Sequence, residues 1–176
     1  MLPTLIHPPK TMLEVWESLP DGTLCQLINN KLIMSPAPKD VHQVVLFDIA
    51  FALRSLLNRK KTGELRISPY DVYFSKQNIL QPDLLFVKDV NLCKIEEKGL
   101  VGAPDVVIEI LSPSTSQLDY EEKKLIYERF GVEEYFIVDP NTTSVDSFFL
   151  KDGVYEEQKT VIGKINSKIL GTKISF

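Results

Sequence analysis

Residues 105–111 read Asp-Val-Val-Ile-Glu-Ile-Leu. A β-branched run of this kind, without alternation of polar and apolar positions, belongs to a strand covered on both faces. The chain must therefore supply a sheet with layers on either side of it. Glu109 sits inside the run. A carboxylate in a buried strand is costly unless a metal ion, a lysine or an arginine compensates it. The segment that most constrains the fold thus also marks the first candidate site residue.

The rest of the pattern fits an α/β or α+β fold with a mixed central β-sheet flanked by helices. Thr11–Ser18 predicts a short helix with Thr11 as N-cap and Glu14 at the capping-box spacing. Leu24–Ile28 and Lys31–Met34 flank Asn29-Asn30, a tight-turn pair for a hairpin. Asp40 is expected to cap a long helix reaching about Lys60. Its apolar residues (Val44, Val45, Phe47, Ile49, Phe51, Leu53, Leu56 and Leu57) go most of the way round, which predicts burial on most sides. Arg59-Lys60-Lys61 ends it, followed by Gly63. Strands are expected at Glu64–Ile67, Tyr70–Phe74 and Leu84–Val87, with Ser68-Pro69 and Ser75–Pro82 as separators and Asn91–Gly102 as a loop with room for a helical turn. A helix over Gln117–Phe130, a buried strand at Glu134–Val138, a hairpin around Asp152-Gly153 and last strands near Lys168–Phe176 complete the chain.

With 176 residues the chain is one domain's worth, and it can bury enough surface to fold unaided. We read 1–176 as a single domain, with 141–176 as a β-rich extension. Eight glycines and two cysteines exclude collagen-like and disulfide-framework proteins. Cys25 and Cys93 form no CxxC, which argues against structural zinc and suits a reducing compartment. The first ten residues lack a secretory pattern, and Val44–Leu57 is too short to span a bilayer. The expectation is a soluble cytoplasmic protein. A net charge of −4 does not describe a general nucleic-acid binder, although carboxylates that hold a metal count toward that total.

Two further positions join Glu109. Asp83 follows Pro82 at the head of a strand; it reads either as a turn residue or as a second carboxylate reaching the same point. Two such carboxylates make an oxygen-rich site suited to Mg²⁺ or Mn²⁺. At 100° per residue, Leu118, Leu125, Ile126, Tyr127 and Phe130 define an apolar arc on the last helix. Lys123 falls inside it, as do Glu122 and Arg129, while Lys124 points away. Asp119 lies four residues before Lys123 and Tyr127 four after. The alternatives stay open: Glu109 as a structural bridge to Lys123 or Arg129, and Lys123 snorkelling to solvent. A serine nucleophile in Ser112-Pro113-Ser114-Thr115 has only His7 and His42 as bases, neither near in sequence. Those hydroxyls fit better as helix caps or phosphate contacts. Arg59-Lys60-Lys61 reads as a backbone contact for nucleic acid or as a solvated helix end.

The segments QPDLLFV, GAPDVVIEILSPSTSQLDYEEKKLIYERFGVEEYFIVDP and INNKLIMSPAP with a following histidine resemble the Uma-type endonucleases of the PD-(D/E)XK superfamily. The similarity runs from about Leu24 to Pro140. It implies a restriction-endonuclease-like fold and metal-dependent hydrolysis of DNA phosphodiester bonds. Asp83 and Glu109 match the metal-binding acids of the motif. The usual lysine two residues later is Leu111 here, and Lys123 matches the lysine that such proteins carry on the following helix. In that role it would orient or activate the attacking water. Asp119 and Tyr127 match supporting positions, and His42 matches a histidine that could touch the scissile phosphate or make an ordinary hydrogen bond. Gln26 stands where relatives carry a glutamate, and a neutral amide is a weaker Mg²⁺ ligand. The resemblance further implies a homodimer and DNA as partner. The rival expectation is a catalytically inactive nuclease-fold protein that binds nucleic acid or a protein. A third is an interaction protein in which Glu109 and Lys123 form a buried bridge.

Overall fold

The computed structural model describes residues 8–176; His7 and most of the segment read for a secretory pattern lie outside the described residues. Helix α1 (Met12–Glu17) starts as expected, Thr11 Oγ1 accepting from Glu14 N at 3.1 Å, but the Glu14 carboxylate reaches back to Lys10 N rather than to the cap itself. Strands β1 (Cys25–Ile28) and β2 (Lys31–Met34) pair antiparallel around Asn29 and Asn30, both at positive φ, which an Asn pair tolerates in a tight hairpin turn.

Helix α2 (Asp40–Lys60) has Lys39 at its N-cap, so Asp40 is its first residue and not its cap; Asp40 still favours that helix end through its charge. The expectation of burial on most sides is wrong. Ile49, Leu53 and Leu57 are buried, whereas Val44, Phe47 and Phe51 are 52–68% exposed. The helix is one-sided, and aromatic residues occupy part of its outer face.

Strands β3 (Gly63–Ile67), β4 (Val72–Ser75), β5 (Asn78–Leu80) and β6 (Leu84–Lys88) follow. The region read as a separator therefore holds a fully buried strand, β5. The region read as a loop holds a 3₁₀ turn (Asp89–Lys94) and the hairpin β7 (Ile95–Glu96) and β8 (Gly99–Val101). These strands are too short to carry a period-2 signal. The run 105–111 supplies β9 (Val106–Ile110), buried along its whole length.

Helix α3 spans 116–130. It opens with an α-helical turn (Ser116–Leu118), widens into a π-helical turn (Asp119–Lys123) and continues as α-helix (Lys124–Phe130) to Gly131, whose φ of 86° ends it. Leu125, assigned to the apolar arc, is 63% exposed, because the π turn changes the angular step the wheel assumed. Then come β10 (Glu134–Val138), β11 (Ser144–Lys151), β12 (Val154–Glu157), β13 (Val161–Ile162), β14 (Lys164–Ser167) and β15 (Thr172–Ser175).

The strands form a six-stranded sheet ordered β2-β1-β5-β4-β8-β7 and a seven-stranded sheet ordered β12-β11-β10-β9-β6-β3, with β13 on β11; β14 and β15 pair separately. The larger sheet is mixed, β9 and β10 being parallel and their outer neighbours antiparallel. One face carries α2, with Ile49, Leu53, Phe86, Ile108, Phe136 and Ile165 in one core. The other carries α3, with Val107, Tyr127, Tyr135 and Phe148 in a second core that runs on to Val72 and Leu80 of the smaller sheet. Strands β6 and β9 lie centrally between these two layers, and their ends open toward the N-terminus of α2.

Candidate active site

The antiparallel register pairs Leu84 with Ile108, so the next step along each strand sets Asp83 beside Glu109. Asp83 N donates to Glu109 Oε2 at 3.3 Å, and Ile110 N donates to Asp83 Oδ2 at 2.8 Å. Asp83 follows a proline, which offers no N–H and so leaves the ladder free to end there. α3 lies across β9 and lowers two donors onto one oxygen: Lys123 Nζ at 3.0 Å and Tyr127 Oη at 2.6 Å, both to Glu109 Oε1. Lys123 also meets Asp119 Oδ1 at 2.8 Å. From the first turn of α2, His42 Nε2 donates to Asp83 Oδ2 at 3.2 Å.

Six of the seven sequence-selected residues (Gln26, His42, Asp83, Glu109, Asp119 and Lys123) line one open cavity of about 470 Å³. The seventh, Tyr127, is behind its wall, fully buried against Glu109. Arg59 and Lys61 are not brought there. They lie at the other end of the 21-residue α2, roughly 25 Å from His42 at 1.5 Å per residue. Arg129 is likewise elsewhere, over the Phe130 ring.

The charges are unbalanced. Asp83, Glu109 and Asp119 surround the single ammonium of Lys123, an excess of two negative charges when all three carboxyls ionise. Burial drives the Glu109 carboxyl upward, Lys123 opposes this, and Asp119 and Asp83 add to it, so its pKa is pushed up to about 7. Asp119 is raised for the same reason, burial, with Lys123 opposing. Burial pulls Lys123 down, but Glu109, Asp119 and Asp83 together outweigh it and hold the ammonium far above its ordinary value. His42 behaves alike: burial lowers it, the hydrogen bond and charge of Asp83 raise it more, and the net is upward.

These residues fit a hard divalent cation. Among the described residues no group of three or more His, Cys, Asp and Glu side chains is placed to hold a metal ion. A Mg²⁺-type ion does not need three protein ligands, since one or two carboxylates plus water and substrate phosphate suffice. Glu109 Oε1 is taken by two donors, but Oε2 accepts only one, and Asp83 Oδ1 accepts none among the described residues. Carboxylate oxygens hold two acceptor sites each, so both residues keep capacity facing the cavity. Gln26 does not add to it: its Oε1 accepts from Gln81 N at 3.0 Å and its Nε2 donates to Ser35 Oγ.

Sequence reasoning missed Gln81, whose backbone holds Gln26 and whose amide bonds Asp71 at 2.8 Å; its place before Pro-Asp is its only signal. It also missed Lys39, exposed at the cavity mouth, which looks like any loop lysine. The hydroxyls of Ser112, Ser114 and Thr115 line the cavity and bond one another, but Thr115 makes no side-chain cap bond to the helix it precedes.

A family model described as "Uma2: Putative restriction endonuclease" matches residues 12–168. No curated protein matches the chain. Among solved structures, a "putative nuclease belonging to DUF820" from Anabaena variabilis ATCC 29413 superposes with a TM-score of 0.70 at 20% identity, over 87% of this chain and 83% of that one. The type IIG restriction endonuclease BpuSI matches at a TM-score of 0.41 and 13% identity, over 77% of this chain and 16% of its own. The first likeness establishes the restriction-endonuclease-like fold.

Proposed function

The chain belongs to the Uma2 family, and from that premise we propose that it is a divalent-metal-dependent endonuclease hydrolysing phosphodiester bonds of DNA. The observation that carries this reading is the excess of negative charge around Lys123 at the end of an open cavity, with carboxylate oxygens of Asp83 and Glu109 left unsaturated. Those two residues would hold Mg²⁺ or Mn²⁺. Such an ion, when bound, lowers the pKa of a water and stabilises charge on phosphate.

The chain's own groups do the rest. Lys123 stays protonated, because the carboxylates around it raise its pKa. It supplies a positive charge and hydrogen bonds that orient a nucleophile or the phosphate. Asp119 holds its ammonium in place and Tyr127 fixes the Glu109 carboxylate from behind. His42, charged more readily than a free histidine, holds Asp83 Oδ2 and lines the cavity, where it would bond a phosphate oxygen. Lys39 would meet the backbone at the cavity mouth. We place the activity in the cytoplasm, take 1–176 as one nuclease domain with 141–176 as its β-rich extension, and count a second copy of the chain among its partners.

One observation favours a second reading, a nuclease fold that binds without cutting: the Gln26 oxygen is already engaged by Gln81 and lends no charge to the cavity. Cleavage of supercoiled plasmid and of single-stranded DNA with Mn²⁺ separates the two. Wild type is expected to nick, and Asp83→Ala and Lys123→Ala to be inactive. DNA binding that persists unchanged in chelator, with no cleavage by any of the three proteins, would favour the binding module.

A further inference from the structure

The outer face of α2 leaves Val44, Phe47 and Phe51 between half and two-thirds exposed, with Val41 beside them. The two phenyl rings stack at 6.3 Å with 17° between their planes. With Asp40, Arg54 and Asn58, also exposed, they fall on positions 40, 44, 47, 51, 54 and 58. The spacing alternates four and three, which is the seam of one helix packing along another. An apolar stripe of this kind on a soluble protein marks an interaction surface.

The charges on the stripe select its occupant. Asp40 and Asp48 lie in the N-terminal half and Arg54 and Arg59 in the C-terminal half. A second α2 laid antiparallel, with the symmetry axis between Phe47 and Phe51, sets each Phe47 against the partner's Phe51. It also sets Arg54, which stays half exposed beside its own chain's Glu64 at 3.7 Å, against the partner's Val44, with that helix's Asp40 and Asp48 one turn to either side. A parallel pair would bring like charges together. Nucleic acid is a poorer occupant, because Asp40 and Asp48 lie beside the exposed rings and offset Arg54 and Arg59. We propose that two copies of this chain dimerise through α2, antiparallel about a two-fold axis at Phe47 and Phe51. This deepens the homodimer part of the functional reading, although the surface argument itself does not depend on hydrolysis. Since His42 is on the same helix, the dimer carries its two candidate sites on one rigid element, on opposite sides of the axis.

The test is the mass in solution by light scattering over a wide dilution series. Wild type is expected at twice the chain's 20.0 kDa, falling toward one chain on dilution. Phe47→Glu with Phe51→Glu is expected to be monomeric with an unchanged far-UV spectrum, since neither side chain is in the core. Arg54→Glu is expected to weaken the dimer about tenfold or more, as a charge attraction becomes a repulsion, and Asp48→Arg in the same chain to restore it. That rescue separates an interface from misfolding. A wild-type monomer at every concentration overturns the proposal, as does a Phe47→Glu, Phe51→Glu variant that remains dimeric. Plasmid nicking by a wild-type monomer would leave the nuclease reading standing while the dimer falls. A dimer with no cleavage in any metal would do the reverse.

Discussion

Replacing Glu109 by Gln distinguishes a metal site awaiting its ion from a structural ion pair, because the two give opposite signs. In the metal-free protein the Glu109 carboxyl is raised from 4.5 to about 7. A carboxyl whose folded pKa exceeds its unfolded one binds protons on folding, so its contribution to stability falls as pH rises through that window. At about 1.4 kcal/mol per tenfold change in proton affinity, ionised Glu109 costs about 3 kcal/mol above pH 7. Gln removes that cost. It also sets an amide N–H against the Asp83 N–H that Oε2 accepted, a loss of about 1 kcal/mol. Lys123 is not stranded, because Asp119 stays at 2.8 Å. The net expectation is a gain of about 2 kcal/mol, or about 4–8 °C in Tm for a chain of this size. Thermal melts in chelator from about pH 5 to about pH 8 should show the gain only at the alkaline end. If the bond to Lys123 holds the fold together, Glu109→Gln will instead lose about 3–5 kcal/mol, the usual cost of breaking a buried pair. A loss of that size across the whole pH range would refute the reasoning.

Three more expectations follow from the same geometry. Saturating Mn²⁺ or Mg²⁺, at about a hundred times Kd, should stabilise the wild type by about 2.7 kcal/mol; scanning calorimetry should show this as about 5–10 °C, reversed by chelator and absent in Asp83→Ala. Gln26→Glu should tighten Mn²⁺ binding in titration calorimetry and lower Tm in chelator, since it adds a carboxylate to an already negative cavity. Gly63→Ala should destabilise by about 2–4 kcal/mol in urea melts, as a large steric clash in a core would; a Cβ there would stand 2.1 Å from Val87 O and 2.6 Å from the Phe86 ring.

The sequence carried the site further than it carried the fold. Glu109 was visible because a carboxylate in a β-branched run needs a partner, and Lys123 because a lysine in an apolar arc needs one too. The partner of Glu109 stayed open between a metal ion, Lys123 and Arg129. The structure joins Glu109 to Lys123 at 3.0 Å, although the helical wheel assumed an unbroken α-helix and the π turn at Asp119–Lys123 is not encoded by any residue preference. The same blindness to the π turn put Leu125 on the wrong side. For α2, hydrophobicity counted round the helix predicted burial, whereas Phe47 and Phe51 look out. A residue's apolarity does not say whether its cover comes from its own chain. The short strands β5, β7 and β8 were hidden because two or three residues cannot display a period. Gln81 was hidden because its role rests on a backbone N–H, which every residue but proline has.

The inner face of α2, made from residues 40–60, is closed by residues from the other end of the chain: Ile165, Leu170 and Ile174 share its core. Their hairpin is latched by the buried Glu134 carboxylate, which accepts from Ser167 Oγ at 2.5 Å, Lys168 N at 2.8 Å and Ile169 N at 3.0 Å. A ribosome that has released Asp83, Glu109 and Lys123 has therefore supplied every candidate catalytic group without yet supplying the piece that seals α2 against the sheet. The nascent chain keeps part of that helix's apolar side uncovered until residues 164–175 have emerged. Chaperone demand and sensitivity to truncation should thus depend on whether residues 164–175 are present, far in sequence from the chemistry they protect.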